Sequence, residues 1–200
     1  MMRRPLVWLA VTVLAILVAG FFAGAKITSD FFANSMPTTR FQVADDRLYV
    51  RGEINALSLD QFNEVISAFP WVKVLVLDGI SGSSDDETNV KLGYRVRELG
   101  LATHVPAGAE IYSGGVDLFL AGVERTIGEA AVLGVHSWSD GIHDGAHYPK
   151  DSPEHEEARK YTEDMLGDDR FYWFTLSAAP ADGIHVMTDK EVREYGLLTD

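Results

Sequence analysis

The sequence predicts an α/β domain built on a largely parallel sheet, preceded by an N-terminal transmembrane or signal helix. Three observations carry that expectation. Short β-branched runs alternate with amphipathic helical segments from residue 47 onward, a rhythm that needs crossover connections and therefore parallel strands. Two hundred residues suffice for one domain plus a tail. Leu6 to Phe22 runs without a charged residue behind Arg3 and Arg4, the profile of a membrane-directed segment.

The N-terminal segment leaves two alternatives open. Pro5 to Ala25 is nearly long enough to cross a bilayer as an uncleaved anchor. Ala23-Gly24-Ala25 also has the small-x-small form of a signal cleavage site. Arginines before the run and few basic residues after it place the domain outside the inner membrane in either case. Residues 1–27 are thus expected to be signal anchor or signal peptide, 28–40 a polar linker, and 41–200 the domain.

Charge and composition exclude several functions. A formal net charge of -13 argues against nucleic-acid binding, which needs a basic face. It also disfavours docking of the domain itself on an anionic membrane surface. With no cysteine, the chain has no disulfide, thiolate nucleophile or Cys-ligated zinc.

The elements follow in order. Arg47 to Gly52 alternates as a strand, and Ser58 stands as N-cap of a helix with Phe62, Val65, Ile66 and Phe69 on one face. Val72 to Asp78 reads as a buried strand, Gly79 to Asp86 as a loop, and Glu87 to Leu99 as a helix stopped by Gly100. Leu101 to Val105 and Ala109 to Tyr112 read as strands. Asp117 to Val123 lies in the helix that follows Ser113, and Ala131 to His136 is the next strand. Ser137 to Asp151 is loop-like, with helical sequence at Pro153 to Leu166 and around Arg170 to Ala178. Ile184 to Met187 reads as a final strand, with Thr188 capping a short helix that ends at Gly196.

The chemistry concentrates at Ser113 and His136. A serine at a strand-to-helix turn exposes its hydroxyl, and the following amides point outward to where an oxyanion could develop. A histidine ending the next buried strand could take the serine proton. The residue-level alternative is a turn serine beside Gly114 and Gly115 and a core histidine.

Leu77-Asp78 before a Gly/Ser stretch, Ser113 with small neighbours, Phe119-Leu120-Ala121-Gly122, the strand ending in His136, and Glu194-Tyr195-Gly196-Leu197-Leu198 together resemble the ClpP/crotonase superfamily. Within it the chain looks like the Clp protease proteolytic subunit and its exported relatives. The resemblance spans roughly 47–136 plus 184–200 and implies stacked ββα units. It implies Ser113 as nucleophile, His136 as base, Asp182 as the residue orienting it, and the Gly82 and Gly114 amides as oxyanion hole. It implies a peptide or protein substrate, ring or stacked homo-oligomers, and no cofactor. Where the family reads Ser-Pro-Gly-Gly, this chain has Gly79-Ile80-Ser81-Gly82, without the proline. That departure motivates the alternative of an inactive scaffold or interaction module at the membrane. Acyl-CoA chemistry of the crotonase type is disfavoured by export.

Other clusters carry bland readings. Asp182 lies in Pro180-Ala181-Asp182-Gly183, which is turn chemistry. Asp117, one turn into the helix, stabilises its N-terminus. His143 and His147 have ligand spacing, but Gly141, Gly145 and Pro149 break any helix there, so no metal is expected. Lys150 and Lys160 are surface charges rather than the base of a serine-lysine dyad. Phe171-Tyr172-Trp173-Phe174 is core or subunit contact before it is substrate groove.

Overall fold

Residue 39 opens an antiparallel pair, and everything after it winds around one long strand. The computed structural model describes residues 36–199, so the predicted anchor or signal segment lies outside the described residues. Among the described residues no helix is long and apolar enough to cross a membrane. Strand β1 (Thr39–Ala44) pairs antiparallel with β2 (Arg47–Ile54), and α1 (Ser58–Ala68) leads to β3 (Val74–Ser83). Helix α2 (Asp86–Glu98), β4 (Ala102–Val105) and β5 (Glu110–Tyr112) follow, then α3 (Gly114–Leu120), β6 (Arg125–Ile127) and β7 (Val132–Val135). Two 3-10 turns, Gly145–His147 and Pro153–His155, lead to α4 (Glu156–Leu166) and α5 (Arg170–Ala178). The described chain closes with β8 (His185–Val186) and α6 (Asp189–Glu194).

The sheet runs β1-β2-β3-β5-β7-β8, with β4 and β6 branching from β3. All pairings are parallel except β1–β2 and β7–β8 at its two ends. The first half of β3 pairs with β4 and its second half with β5, at Ile80↔Ile111. One strand therefore serves two neighbours, which turns the sheet at its centre. The successive residues Leu75, Val76 and Leu77 on that strand are all but fully buried, so both of its faces are covered, as crossover burial requires.

Several predicted boundaries are corrected. The Gly79-to-Asp86 stretch is no loop, because β3 continues through Ser83 and pairs with β2 at Ile80, Gly82 and Ser83. Ser58 does not cap its helix; Leu57 takes the cap position. The Ser58 hydroxyl turns back to accept from the Asn55 amide at 2.8 Å and meets Thr39 Oγ1 at 2.5 Å. Strand β1 starts inside the expected linker, and β6 is an additional short strand held by β4. Thr188 does cap α6, in a reciprocal capping box with Glu191.

Helix α3 is the most enclosed element. Six of its residues, Gly114, Gly115, Val116, Leu118, Phe119 and Leu120, are buried. A buried helix end leaves carbonyls that water cannot reach, so protein donors must satisfy them. Thr103 Oγ1 donates to the Phe119 carbonyl at 2.7 Å. Arg97 donates to Leu120 and Ala121, each at 2.8 Å, and to Met165 at 3.2 Å. Arg125 donates to Gly122, Gly196 and Leu197. Two guanidinium groups thus sit where the helix dipole is negative. Arg97→Met is expected to lower stability by roughly 2–3 kcal/mol, because it leaves buried carbonyls unpaired. Urea unfolding followed by circular dichroism checks this, with Lys91→Met on the exposed face of α2 expected within about 0.5 kcal/mol of wild type.

Candidate active site

The order β3-β5-β7 puts three carboxyl strand ends side by side, and each carries a residue of the predicted site. Gly82 lies near the end of β3, Ser113 directly follows β5, and His136 directly follows β7. The pairing Tyr112↔Gly134 sets their register, and the Ser113 amide donates to the Gly134 carbonyl at 2.9 Å.

Ser113 has φ 50° and ψ -123°, a conformation that costs a non-glycine residue about 1–3 kcal/mol. The turn is held from both sides. Its amide is fixed to β7, and its carbonyl accepts from Val116 and Asp117 of the helix it starts. Among the described residues its hydroxyl makes no hydrogen bond. A strained serine at a strand-to-helix turn, with its hydroxyl free, has the geometry of a nucleophile elbow.

Gly82 stands beside it at φ 131°. A Cβ there would lie 3.5 Å from the Ser113 Cβ, so the two residues share one corner of the site. Gly114 is forced to be glycine by crowding, since a Cβ would come within 2.5 Å of Ser83 Oγ and 2.9 Å of Asn89 Nδ2. As first residue of α3, its N–H has no carbonyl one turn back within the helix.

His136 is half-buried, with Nδ1 2.7 Å from the Ser137 carbonyl oxygen. A carbonyl only accepts, so Nδ1 carries the proton and the neutral ring keeps its lone pair on Nε2. That is the tautomer a base requires. Ser113 and His136 line the same cavity, of about 220 Å³, but no hydrogen bond joins them.

Asp182 is not brought to this site. It is exposed in the turn after α5 and makes no hydrogen bond or ion pair, while the Ser137 carbonyl occupies His136 Nδ1. Its neighbour Ala181 is tied instead to the 137–151 segment, its backbone N–H donating a hydrogen bond of 2.7 Å to the Asp144 carboxylate.

Asp117 is the site residue that sequence reasoning misread. It lines the cavity one turn after Ser113, and its carboxylate has no hydrogen-bond partner. Burial, and secondarily the charge of Asp86, pushes its pKa up to about 7. A helix-terminus interaction would have lowered it. The available signal was an acid set among Val116, Leu118, Phe119 and Leu120, where no solvent-facing stripe exists.

The far wall comes from the segment after β7 and from α4 and α5. Trp138 Nε1 donates to the Tyr172 hydroxyl at 2.9 Å, and that hydroxyl lies 2.6 Å from Nδ1 of the buried His155. Burial pushes the Tyr172 phenol up to about 12, so it stays protonated and donates to His155. Phe171 and Tyr172 are core residues, as the sequence reading of this aromatic run expects, and they also line the cavity. Lys150 lies over the Trp173 ring at 5.2 Å and Lys160 pairs with Asp164, so neither faces Ser113. Among the described residues no three His, Asp or Glu side chains converge in a metal-binding group.

With this geometry in place, comparison with solved structures identifies the architecture. A mutant of a membrane-bound stomatin-specific protease, in complex with a substrate peptide, matches with a TM-score of 0.52. Identity is 15%, over 75% of this chain and 71% of that one. A ClpP1 mutant from Listeria monocytogenes matches at 0.54 and 12% identity, over 76% of this chain and 88% of that one. An enoyl-CoA hydratase from Thermoplasma volcanium matches at 0.52 and 14%, over 82% of this chain and 71% of that one. The fold is that of the ClpP/crotonase superfamily. No protein-family model and no curated protein sequence matches the chain. A ClpP/crotonase fold hosts both peptidases and hydratases, so the chemistry has to be argued from the site itself.

Asp117 makes stability pH-dependent in a defined direction. A carboxyl whose folded pKa is raised binds its proton more tightly folded than unfolded. Its favourable contribution is complete below about pH 4 and is lost as pH rises through about 7. Asp117→Asn is therefore expected to stabilise the protein by about 2 kcal/mol at pH 8, with a smaller difference at pH 5 that vanishes only below about pH 4. Urea denaturation of both proteins at the two pH values tests it.

Proposed function

We propose that this protein is an exported serine hydrolase, acting on peptides, tethered to the inner membrane by its N-terminal apolar segment. The observation that carries the reading is Ser113, a strained turn serine with a free hydroxyl, lining one cavity with a histidine in the base tautomer. Peptidase chemistry is favoured over hydratase chemistry because Ser113 provides a nucleophile at the helix start. The protease neighbours in the same fold support that choice. Oligomerisation of the domain is part of the same reading.

In this mechanism His136 Nε2 takes the Ser113 proton as Oγ attacks the scissile carbonyl. The amides of Gly82 and Gly114 face the developing oxyanion, where preorganised donors act most strongly. The Ser137 carbonyl replaces an acid in holding the imidazole, so the imidazolium gains a dipole rather than a full negative charge. His136 must move its ring to meet Oγ, as apo sites often require.

A second reading, an inactive scaffold, is favoured by one observation. Ser113 and His136 share the cavity without a hydrogen bond between them, and the imidazole has the Ser137 carbonyl rather than Asp182 as its partner.

Labelling with a fluorophosphonate probe separates the two. Wild type is expected to label, Ser113→Ala to lose labelling, and His136→Ala to slow it by at least about 100-fold. In peptide or ester turnover the double variant is expected to fall no further than Ser113→Ala, because both residues belong to one proton-transfer unit. Absence of labelling and turnover in folded wild type would establish the scaffold.

A further inference from the structure

We propose that the cavity beside Ser113 binds a cationic side chain, so that the substrate carries lysine or arginine next to the scissile carbonyl. This deepens the hydrolase reading and rests on it for the chemistry, while the binding site can be tested without it.

Four carboxylates line the cavity: Asp86, Asp117, Glu154 and Glu157. Among the described residues no lysine or arginine lines it, and none of the four makes a salt bridge. An acidic rim alone would be unremarkable on a chain of net charge -13. The cavity wall adds an independent feature. Asn89 is 2% exposed, and its amide nitrogen donates to the Gly114 carbonyl at 3.0 Å. Its carbonyl oxygen is buried with no hydrogen-bond partner. Buried acceptors are almost always paired, and an orphan in the wall of a cavity calls for a donor from the occupant. Asp117, deeper than the other three acids, is a second acceptor without a partner.

The rest of the cavity selects the kind of donor. Trp138, Phe171 and Tyr172 line it with aromatic side chains against which an alkyl stem can pack. At about 220 Å³ the space is below the roughly 300 Å³ of drug-sized pockets, which suits one side chain. A neutral alkyl chain would fill it but would seal the Asp117 carboxylate away from water unpaired and offer the Asn89 oxygen no donor. A metal ion is disfavoured because the acids do not converge as a ligand set. An ammonium or guanidinium on a flexible stem meets every one of these conditions.

The test compares N-acetyl-lysine amide with N-acetyl-norleucine amide, which replaces the ammonium by a methyl group. Calorimetric titration of the full-length Ser113→Ala protein at pH 8 is expected to show at least tenfold tighter binding of the lysine compound. Asp117→Asn in the same background is expected to bring the two within twofold, and Glu157→Gln, at the exposed mouth, to reduce the preference less. Equal affinities, tighter binding of norleucine, or no binding of either at millimolar concentration would overturn the proposal. The hydrolase reading is read separately, by phosphonate labelling of wild type with lysine and norleucine probes. Lysine-selective binding without labelling keeps the cation site and removes the hydrolase. Labelling of Ser113 by both probes at the same rate keeps the hydrolase and removes the cation site.

Discussion

Enclosure of helix α3 is the constraint on which the rest of the structure depends. A short helix with six buried residues cannot leave its terminal groups to solvent, so other elements are committed to them. Thr103 on β4, Arg97 on α2 and Arg125 on β6 supply donors at its C-terminal end. Arg125 extends the same linkage to the carbonyls of Gly196 and Leu197, fastening the chain's last described turn to the core. The cost of burying Arg125 and half-burying Arg97 is offset by multiple carbonyl bonds to each, and burial still lowers the Arg125 pKa.

At the other end of the helix the same rigidity holds Ser113 in its unfavourable backbone conformation. Strain of this kind persists only where surroundings determine it. Here the bond from the Ser113 amide to β7 and the packing of Gly114 and Gly115 against Ser83 and Ile80 do so. The adjacency of β3, β5 and β7 then brings Gly82 and His136 to the serine without any long-range loop. Opposite this rigid corner, the Trp138-Tyr172-His155 chain of hydrogen bonds ties the segment after β7 to α5 and closes the cavity. A fixed corner at Ser113 faces a wall of aromatic and acidic side chains across the cavity.

Much of this was legible in the sequence. Alternation of apolar strands and amphipathic helices announced the parallel sheet, and the small residues around Ser113 announced the turn. The strand β3 was cut short because Gly79 and Gly82 read as loop punctuation; both have positive φ within a strand that turns the sheet. Strand β6 was missed because Arg125-Thr126-Ile127 is short and polar, and only its partner β4 makes it a strand. Asp182 was drawn from a resemblance near the C-terminus, where one-dimensional alignment carries no information about which group reaches His136. The Ser137 carbonyl could not have been found from side-chain identities, because it is a backbone group. Asp117 was visible as an acid within an apolar helix, yet its role depended on α4 and α5, which build the cavity from distant sequence.

The central claim is that Ser113 attacks carbonyl-like electrophiles in this cavity with Gly82 and Gly114 receiving the oxyanion. The most direct measurement is a crystal structure of the full-length protein after reaction with a phosphonate probe. The account predicts a covalent bond from Ser113 Oγ to phosphorus, with the phosphoryl oxygen about 3 Å from the amide nitrogens of Gly82 and Gly114. An adduct on another serine, a phosphoryl oxygen turned to solvent, or an unmodified Ser113 would contradict it.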